Sequence, residues 1–208
     1  MNRRKFIAAS TATALLANTG HASGPINTSM ISTSQMAGNI VGPIEGYSTH
    51  VGTLVSMMNW MRDVVTDQVR GMTTQELDYV HDEDSNTIGA MLWHLAGTER
   101  FYQGNTLNGK MWDGLSKSDS VKWSAASNLG YQGRSQIKGY DLSFYLELLE
   151  NVRNFTLEEF RKLDDNWIME VDHNFWNGGT NNYCKWFHVV EHESNHNGQI
   201  KYIKKRIT

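Results

Sequence analysis

A single cysteine, Cys184, stands in the whole chain of 208 residues, so no internal disulfide can form and stability must come from packing or from a bound metal. Cys184 is expected to serve as a small buried apolar residue rather than as a ligand. Basic charge is not in excess either: 19 Lys and Arg stand against 22 Asp and Glu, for a net charge of −3. Nucleic-acid binders carry clustered positive charge, so nucleic acid is not an expected partner. Beyond the N-terminus no segment approaches the ~20 consecutive apolar residues of a membrane-spanning helix, so no stable membrane insertion is expected once a leader is removed. Strand-like alternation is confined to Trp167–Val171, and no internal repeat is visible. What remains is one helical domain, of a length that matches a single hydrophobic core.

The N-terminus has the layout of an export signal. Met1-Asn-Arg-Arg-Lys-Phe-Ile7 is basic, Ala8 to Ala17 is moderately apolar, and small residues follow. The adjacent Arg3 and Arg4 resemble the twin-arginine signal, whose cargo crosses the membrane folded. Residues 1–22 are therefore expected to be a cleaved leader and the mature protein to be periplasmic or otherwise exported, its net charge moving from −3 to −6 with the loss of Arg3, Arg4 and Lys5. Residues 23–46, rich in Ser, Thr, Gly and Asn, read as a flexible linker.

Helical periodicity dominates residues 47–208. The spacing predicts a first helix from Ser48 to Val69, a capping-box turn at Thr73-Thr-Gln-Glu76, and a second helix from Ile88 that stops at Gly104-Asn105. A third starts at the cap Asp141, and a fourth runs from Tyr183 to Arg206. Residues 105–140, with scattered Gly, Ser and Trp, read as a long ordered loop. Four such helices suffice for an all-α, four-helix bundle with long ordered loops. Met57, Met58 and Met61 are expected in its core, while Trp93, Tyr102, Trp112, Trp123 and Trp176 either roof a pocket or pin loops to the bundle.

Chemistry concentrates in His188-Val-Val-Glu-His-Glu-Ser-Asn-His-Asn-Gly-Gln-Ile200. Residues four apart on a helix have Cβ atoms ~5–6 Å apart, so His192 and His196 make half a metal site. His192-Glu-Ser-Asn-His196 also spells the H-E-x-x-H pattern of zinc peptidases, in which Glu193 would be the general base. That chemistry needs a third ligand downstream, yet none of the twelve residues after His196 is His, Glu, Asp or Cys. Glu193, ~100° around the helix from His192, is expected instead as a supporting or surface carboxylate. The upstream candidates are His50, His81, His94, His173 and His188. Only His94 and His188 lie in confidently helical segments, and His188 continues the same helix too far along its axis to close on the ion with His196. His94 on the second helix is the natural partner. Gln199 and His188 are expected to support the site or to meet substrate, and Glu99 to pack or to pair with Arg100 or nearby Lys.

Ile88-Gly-Ala-Met-Leu-Trp-His-Leu-Ala-Gly-Thr-Glu99 and His192-Glu-Ser-Asn-His-Asn-Gly-Gln199 together resemble the DinB/YfiT-like superfamily over about residues 47–207. The resemblance implies a four-helix bundle holding one divalent ion through His94, His192 and His196. It also implies a metal-dependent hydrolase or a thiol S-transferase acting on a small molecule, and a possible homodimer. Imidazole suits Zn, Ni, Fe or Mn alike. A metal-binding stress-response protein without turnover is the alternative, and a zinc peptidase the third reading.

Overall fold

Apolar residues that recur every three to four positions become four long helices around a shared interior. The computed structural model describes residues 40–109, 117–175 and 178–207; the expected leader, most of the expected linker, Trp112 and Trp176 lie outside them. The elements are α1 (Thr49–Val69), α2 (Thr74–Leu77), α3 (Ile88–Asn108), α4 (Lys117–Asn128), α5 (Gly130–Gln136), α6 (Leu142–Phe160), α7 (Asp165–Met169), β1 (Val171–Asp172), β2 (Thr180–Asn181) and α8 (Asn182–Lys204). The architecture is all-α, with α1, α3, α6 and α8 as the bundle. Among the described residues the one small sheet is the antiparallel pair β1–β2, with Val171 opposite Asn181. Among the described residues no helix is long and apolar enough to cross a membrane.

Local chemistry sets the helix starts. Thr87 caps Ala90, Asp141 caps Phe144 and Asn181 caps Cys184, each side-chain oxygen accepting a backbone N–H left unpaired by the first turn. The capping box at Thr73 and Glu76 is present in both directions. One stop differs from expectation. Helix α3 passes through Gly104 and Asn105, both buried, and ends at Gly109, whose φ of +62° is the left-handed conformation that suits glycine at a C-terminus. The alternation at Trp167–Val171 is also mostly helical, since Trp167 to Met169 belong to α7. The described end of the expected linker is docked: Ile44 is buried, and its backbone nitrogen would lie 2.9 Å from a Cβ on Gly52 of α1, so only glycine allows this approach.

The interior is two apolar halves. Met61 and Val65 of α1, Leu95 of α3, Leu149 and Val152 of α6 and Ile200 of α8 belong to one. Met58, Tyr102, Phe160, Trp186 and Val189 belong to the other. Followed along the chain, α1 and α8 run from the second half to the first, whereas α3 and α6 run from the first to the second. Because α3 and α6 point the same way, the chain must return the length of the bundle between them, as in bundles with a crossover connection. That return is made by α4, which packs on α3, and by α5, which packs on α4 and meets α3 where Gly133 approaches Ala90. The segment read as a long loop is thus two helices, and the tertiary requirement overrides a weak local signal.

Candidate metal centre

The interior boundary between the two halves is polar, and it accounts for the acidic residues of both motifs. Arg62 of α1, Glu99 of α3, Arg153 of α6 and Glu193 of α8 are all buried. Arg62 donates from Nη2 to Glu99 Oε2 (2.9 Å) and Glu193 Oε1 (2.6 Å), and from Nη1 to the Leu149 carbonyl. Arg153 donates from Nε to Glu99 Oε1 (2.9 Å) and from Nη2 to Glu193 Oε1 (3.0 Å), with Nη1 on the Met58 carbonyl. The Thr156 hydroxyl also donates to Glu99 Oε1. Two cations and two anions make this layer neutral. Burial, the largest single influence on Glu99, raises its pKa, but Arg153, Arg62 and the hydrogen bonds together hold it below the ordinary carboxylate range. Glu99 is packed in the interior, and its ion-pair partners are Arg62 and Arg153 of two other helices in place of the expected Arg100 or nearby Lys.

Glu193 as a general base finds no support in this geometry. One carboxylate oxygen is shared by two guanidiniums and the other makes no hydrogen bond in the protein. Arg62 and Arg153 carry no motif and escape a reading of the sequence helix by helix. The signal is present all the same, as a charged residue inside the apolar stripe of each of the four bundle helices.

On the neighbouring faces of α3 and α8 three imidazoles converge. His94 Nε2 and His192 Nε2 are 2.7 Å apart, and the ring centroid of His196 lies 5.0 Å from that of His94 and 4.6 Å from that of His192. Their ligand atoms all lie within 4.8 Å of one another. The Ala126 carbonyl accepts from His94 Nδ1–H at 2.8 Å, which leaves His94 Nε2 as an acceptor facing His192 Nε2.

That carbonyl is made available by the way α4 ends. In a continuing helix it would accept from the N–H of Gly130. Leu129 instead adopts a φ of +49°, uncommon for a residue with a side chain, and the Gly130 N–H turns to Asn86 Oδ1 at 2.8 Å. The α4 segment that the sequence leaves unassigned therefore orients a histidine of the cluster. On α8 the corresponding partner is Gln199, whose Oε1 accepts from His196 Nδ1 at 3.1 Å. Gln199 thus holds an imidazole. Metal-binding histidines characteristically donate their second ring N–H to an oxygen in this manner, which fixes the tautomer and the ring.

All three rings are held neutral. Burial, followed by the charge His196 and His94 would carry, pushes His192 down to about 3. Burial and then His94 push His196 down to about 4, while burial is also the main cause of the lowered His94. Neutral convergent imidazoles, two of them with Nδ1 engaged, fit a divalent ion, and no carboxylate or thiol joins this trio among the described residues.

The other histidines lie elsewhere. His50 sits edge-on to Tyr183, His81 against Tyr202, and His173 is exposed near the small sheet. His188 is one turn before His192 on α8 and shares a hydrogen bond with the Tyr102 hydroxyl at 2.9 Å. Cys184 is exposed, contrary to the buried role expected of it, because its side of α8 lines a surface cavity while Asn182, Lys185 and Trp186 take the buried side. Trp123 is buried against Gly97 and Trp93 packs on Tyr140 and Phe144, so these rings fasten the connecting segments.

A sequence profile of the DinB superfamily matches residues 57–200, a span that takes in all three histidines and both motifs. The chain belongs to the DinB superfamily. Its fold is similar to that of a conserved protein from Enterococcus faecalis (TM-score 0.57, 13% identity, 73% of this chain and 93% of that one). It is also similar to an uncharacterized protein from Clostridium difficile 630 (TM-score 0.59, 18% identity, 76% of this chain and 97% of that one). At such identities the likeness extends to fold alone. No curated protein matches the chain. For a DinB-superfamily bundle, the histidine cluster is compatible with metal binding.

Proposed function

We propose that this DinB-superfamily protein is an exported metal-dependent enzyme, a hydrolase or transferase of a small molecule, with one divalent ion (Zn, Ni, Fe or Mn) on His94, His192 and His196. The observation that carries the reading is the convergence of three neutral imidazoles from two helices, with no fourth donor joining them among the described residues. A divalent ion so held acts as a Lewis acid and lowers the proton affinity of an oxygen or sulfur ligand. The protein's own part is to fix the imidazoles through the Ala126 carbonyl and Gln199, and to offer apolar surface nearby. A cavity of about 260 Å³ lined by Tyr102, Phe175, Phe187 and His188 lies one turn along α8.

Elemental analysis of the purified, dialysed protein should find one tightly held divalent ion per chain, lost in His94→Ala and His196→Ala. Hydrolysis or thiol transfer by the loaded protein, absent in those variants and after chelation, would then establish turnover. Unchanged metal content in both variants would overturn the assignment.

One observation favours the alternative, a metal-binding protein without turnover: the carboxylate next to His192 is committed to Arg62 and Arg153. Full metal loading with no reaction across ester, amide and thiol substrates would select it. The export reading has its own check, since N-terminal sequencing of the mature protein should begin at Ser23 or close by.

A further inference from the structure

Beyond the triad, α8 carries a second group of donors. His188, Glu191 and His192 each offer a ligand atom, and those atoms lie within 4.8 Å of one another. His192 already directs Nε2 toward His94. The donors that belong to this group alone are therefore His188 and Glu191.

Their arrangement repeats the logic of the triad. His188 Nδ1 meets the Tyr102 hydroxyl at 2.9 Å, and that hydroxyl sits on a residue only 1% exposed. With Nδ1–H donating to the Tyr102 oxygen, Nε2 becomes the ligating nitrogen, on the side of the Glu191 carboxylate. His188 Nε2 and Glu191 Oε2 are 3.9 Å apart. Such a separation is too long for a hydrogen bond. It suits two donors on either side of a cation, each at a bond length of ~2.0–2.2 Å.

The two donors also share a cavity. Its walls include Tyr102, Phe175 and Phe187 as well as His188, Glu191 and the polar Thr180, Cys184 and Lys185, so an ion there would face an open cavity of about 260 Å³ with aromatic walls. We propose that His188 and Glu191, with His192 at their edge, form a second and weaker divalent-cation position beside the triad. It is weaker because only two side chains are its own, and because Glu191 is exposed while the triad's His196 is buried. A cation in this place recognises an oxygen donor such as a carboxylate or carbonyl, and the aromatic walls recognise an apolar body attached to it. The ligand class is accordingly a small, oxygen-bearing, partly apolar molecule. This rests on the metal reading of the triad for its neighbour but is tested separately from it.

The experiment is a calorimetric titration of the metal-free full chain with zinc, repeated on Glu191→Gln, His188→Ala and His196→Ala, with circular dichroism to verify folding. Two phases are expected in the wild type, the second at least tenfold weaker than the first. Glu191→Gln and His188→Ala should each remove the second phase and leave the first. His196→Ala should remove the first and leave the second. A single phase in the wild type, a second phase indifferent to both substitutions, or no zinc bound by His196→Ala would each overturn the proposal. A first phase unaffected by His196→Ala would instead count against the triad, which keeps the two failures distinct.

Discussion

Two polar regions share the helices α3 and α8, and they resolve the same physical problem in opposite ways. In the interior layer, Glu99 and Glu193 meet Arg62 and Arg153, so that cations and anions compensate one another within the protein. On the adjoining face, His94, His192 and His196 bring like donors together: two nitrogens stand 2.7 Å apart, His94 and His196 suppress protonation of His192, and His94 that of His196. Buried charge is tolerated only when it is paired and hydrogen-bonded. A layer complete in itself builds a scaffold, whereas a cluster of convergent lone pairs is completed from outside. The Glu of the H-E-x-x-H letters falls on the scaffold side of this division and both His on the other.

The largest expected effect comes from breaking the compensation. Arg153→Met should destabilise the protein by about 3–5 kcal/mol, the usual cost of stranding one partner of a buried ion pair, measured by urea unfolding. The added change Glu193→Gln removes the uncompensated anion and should recover at least half of that loss. A single variant that loses less than about 1 kcal/mol, the scale of an exposed salt bridge, would mean that the layer is not a scaffold in this sense.

How far these regions can be read from sequence differs for the same reason. His192 and His196 are legible because i,i+4 spacing is a local property of one helix, and His94 stands out as a histidine inside an apolar helical stripe. Thr73, Asp141 and the period of α1 and α6 likewise announce their elements locally. The interior layer is not legible in this way, since each member looks like a stray charge until four helices are assembled. Nor are α4 and α5, whose place is dictated by the parallel course of α3 and α6 and not by their own composition. Gly104 misleads because a glycine inside a helix and a glycine ending one look alike until φ is known.

Completion from outside is tested by removing a donor from the other region. His196→Ala should lower metal affinity by more than about 100-fold, since loss of a supporting partner alone typically costs ~10–100-fold. The rise in thermal midpoint that metal gives the wild type should shrink with it, leaving only what a weaker site supplies. Equal metal-induced stabilisation in His196→Ala and wild type would erase the distinction between the two regions.

Acid separates the regions without mutation. His192 and His196 are held neutral down to about 3 and about 4, below their ordinary 6.5, mainly by burial. Below pH 6.5 the unfolded chain takes up protons that the folded rings refuse. Stability of the metal-free protein is therefore complete above pH 6.5 and falls as pH drops toward 4 and then 3. Glu99 is held below its ordinary 4.5, so its contribution is complete above that pH and is lost only below it, as pH falls through the folded value. Urea midpoints recorded from pH 8 to pH 3 should decline in both windows, and His192→Gln should flatten the upper one alone. A wild-type decline confined to pH below 4.5 would show that the histidine face is not held neutral.

The smallest effect expected distinguishes holding a ligand from being one. Gln199 Oε1 accepts from His196 Nδ1, and Gln199 Nε2 in turn donates to Asn195 Oδ1 at 3.3 Å, so the acceptor is itself steered along the surface of α8. Gln199→Ala leaves all three imidazoles in place but releases the ring of His196 to rotate and to exchange tautomers. Metal affinity of the triad should fall about tenfold, the lower end of the range for such partners, with one ion per chain still bound at the triad and unfolding in urea little changed because Gln199 is exposed. Gln199→Glu keeps an acceptor at the same place and should restore affinity. Loss of stoichiometry in Gln199→Ala would make Gln199 a ligand, and an unaltered affinity would mean that His196 is positioned by its buried packing alone, as the members of the interior layer are.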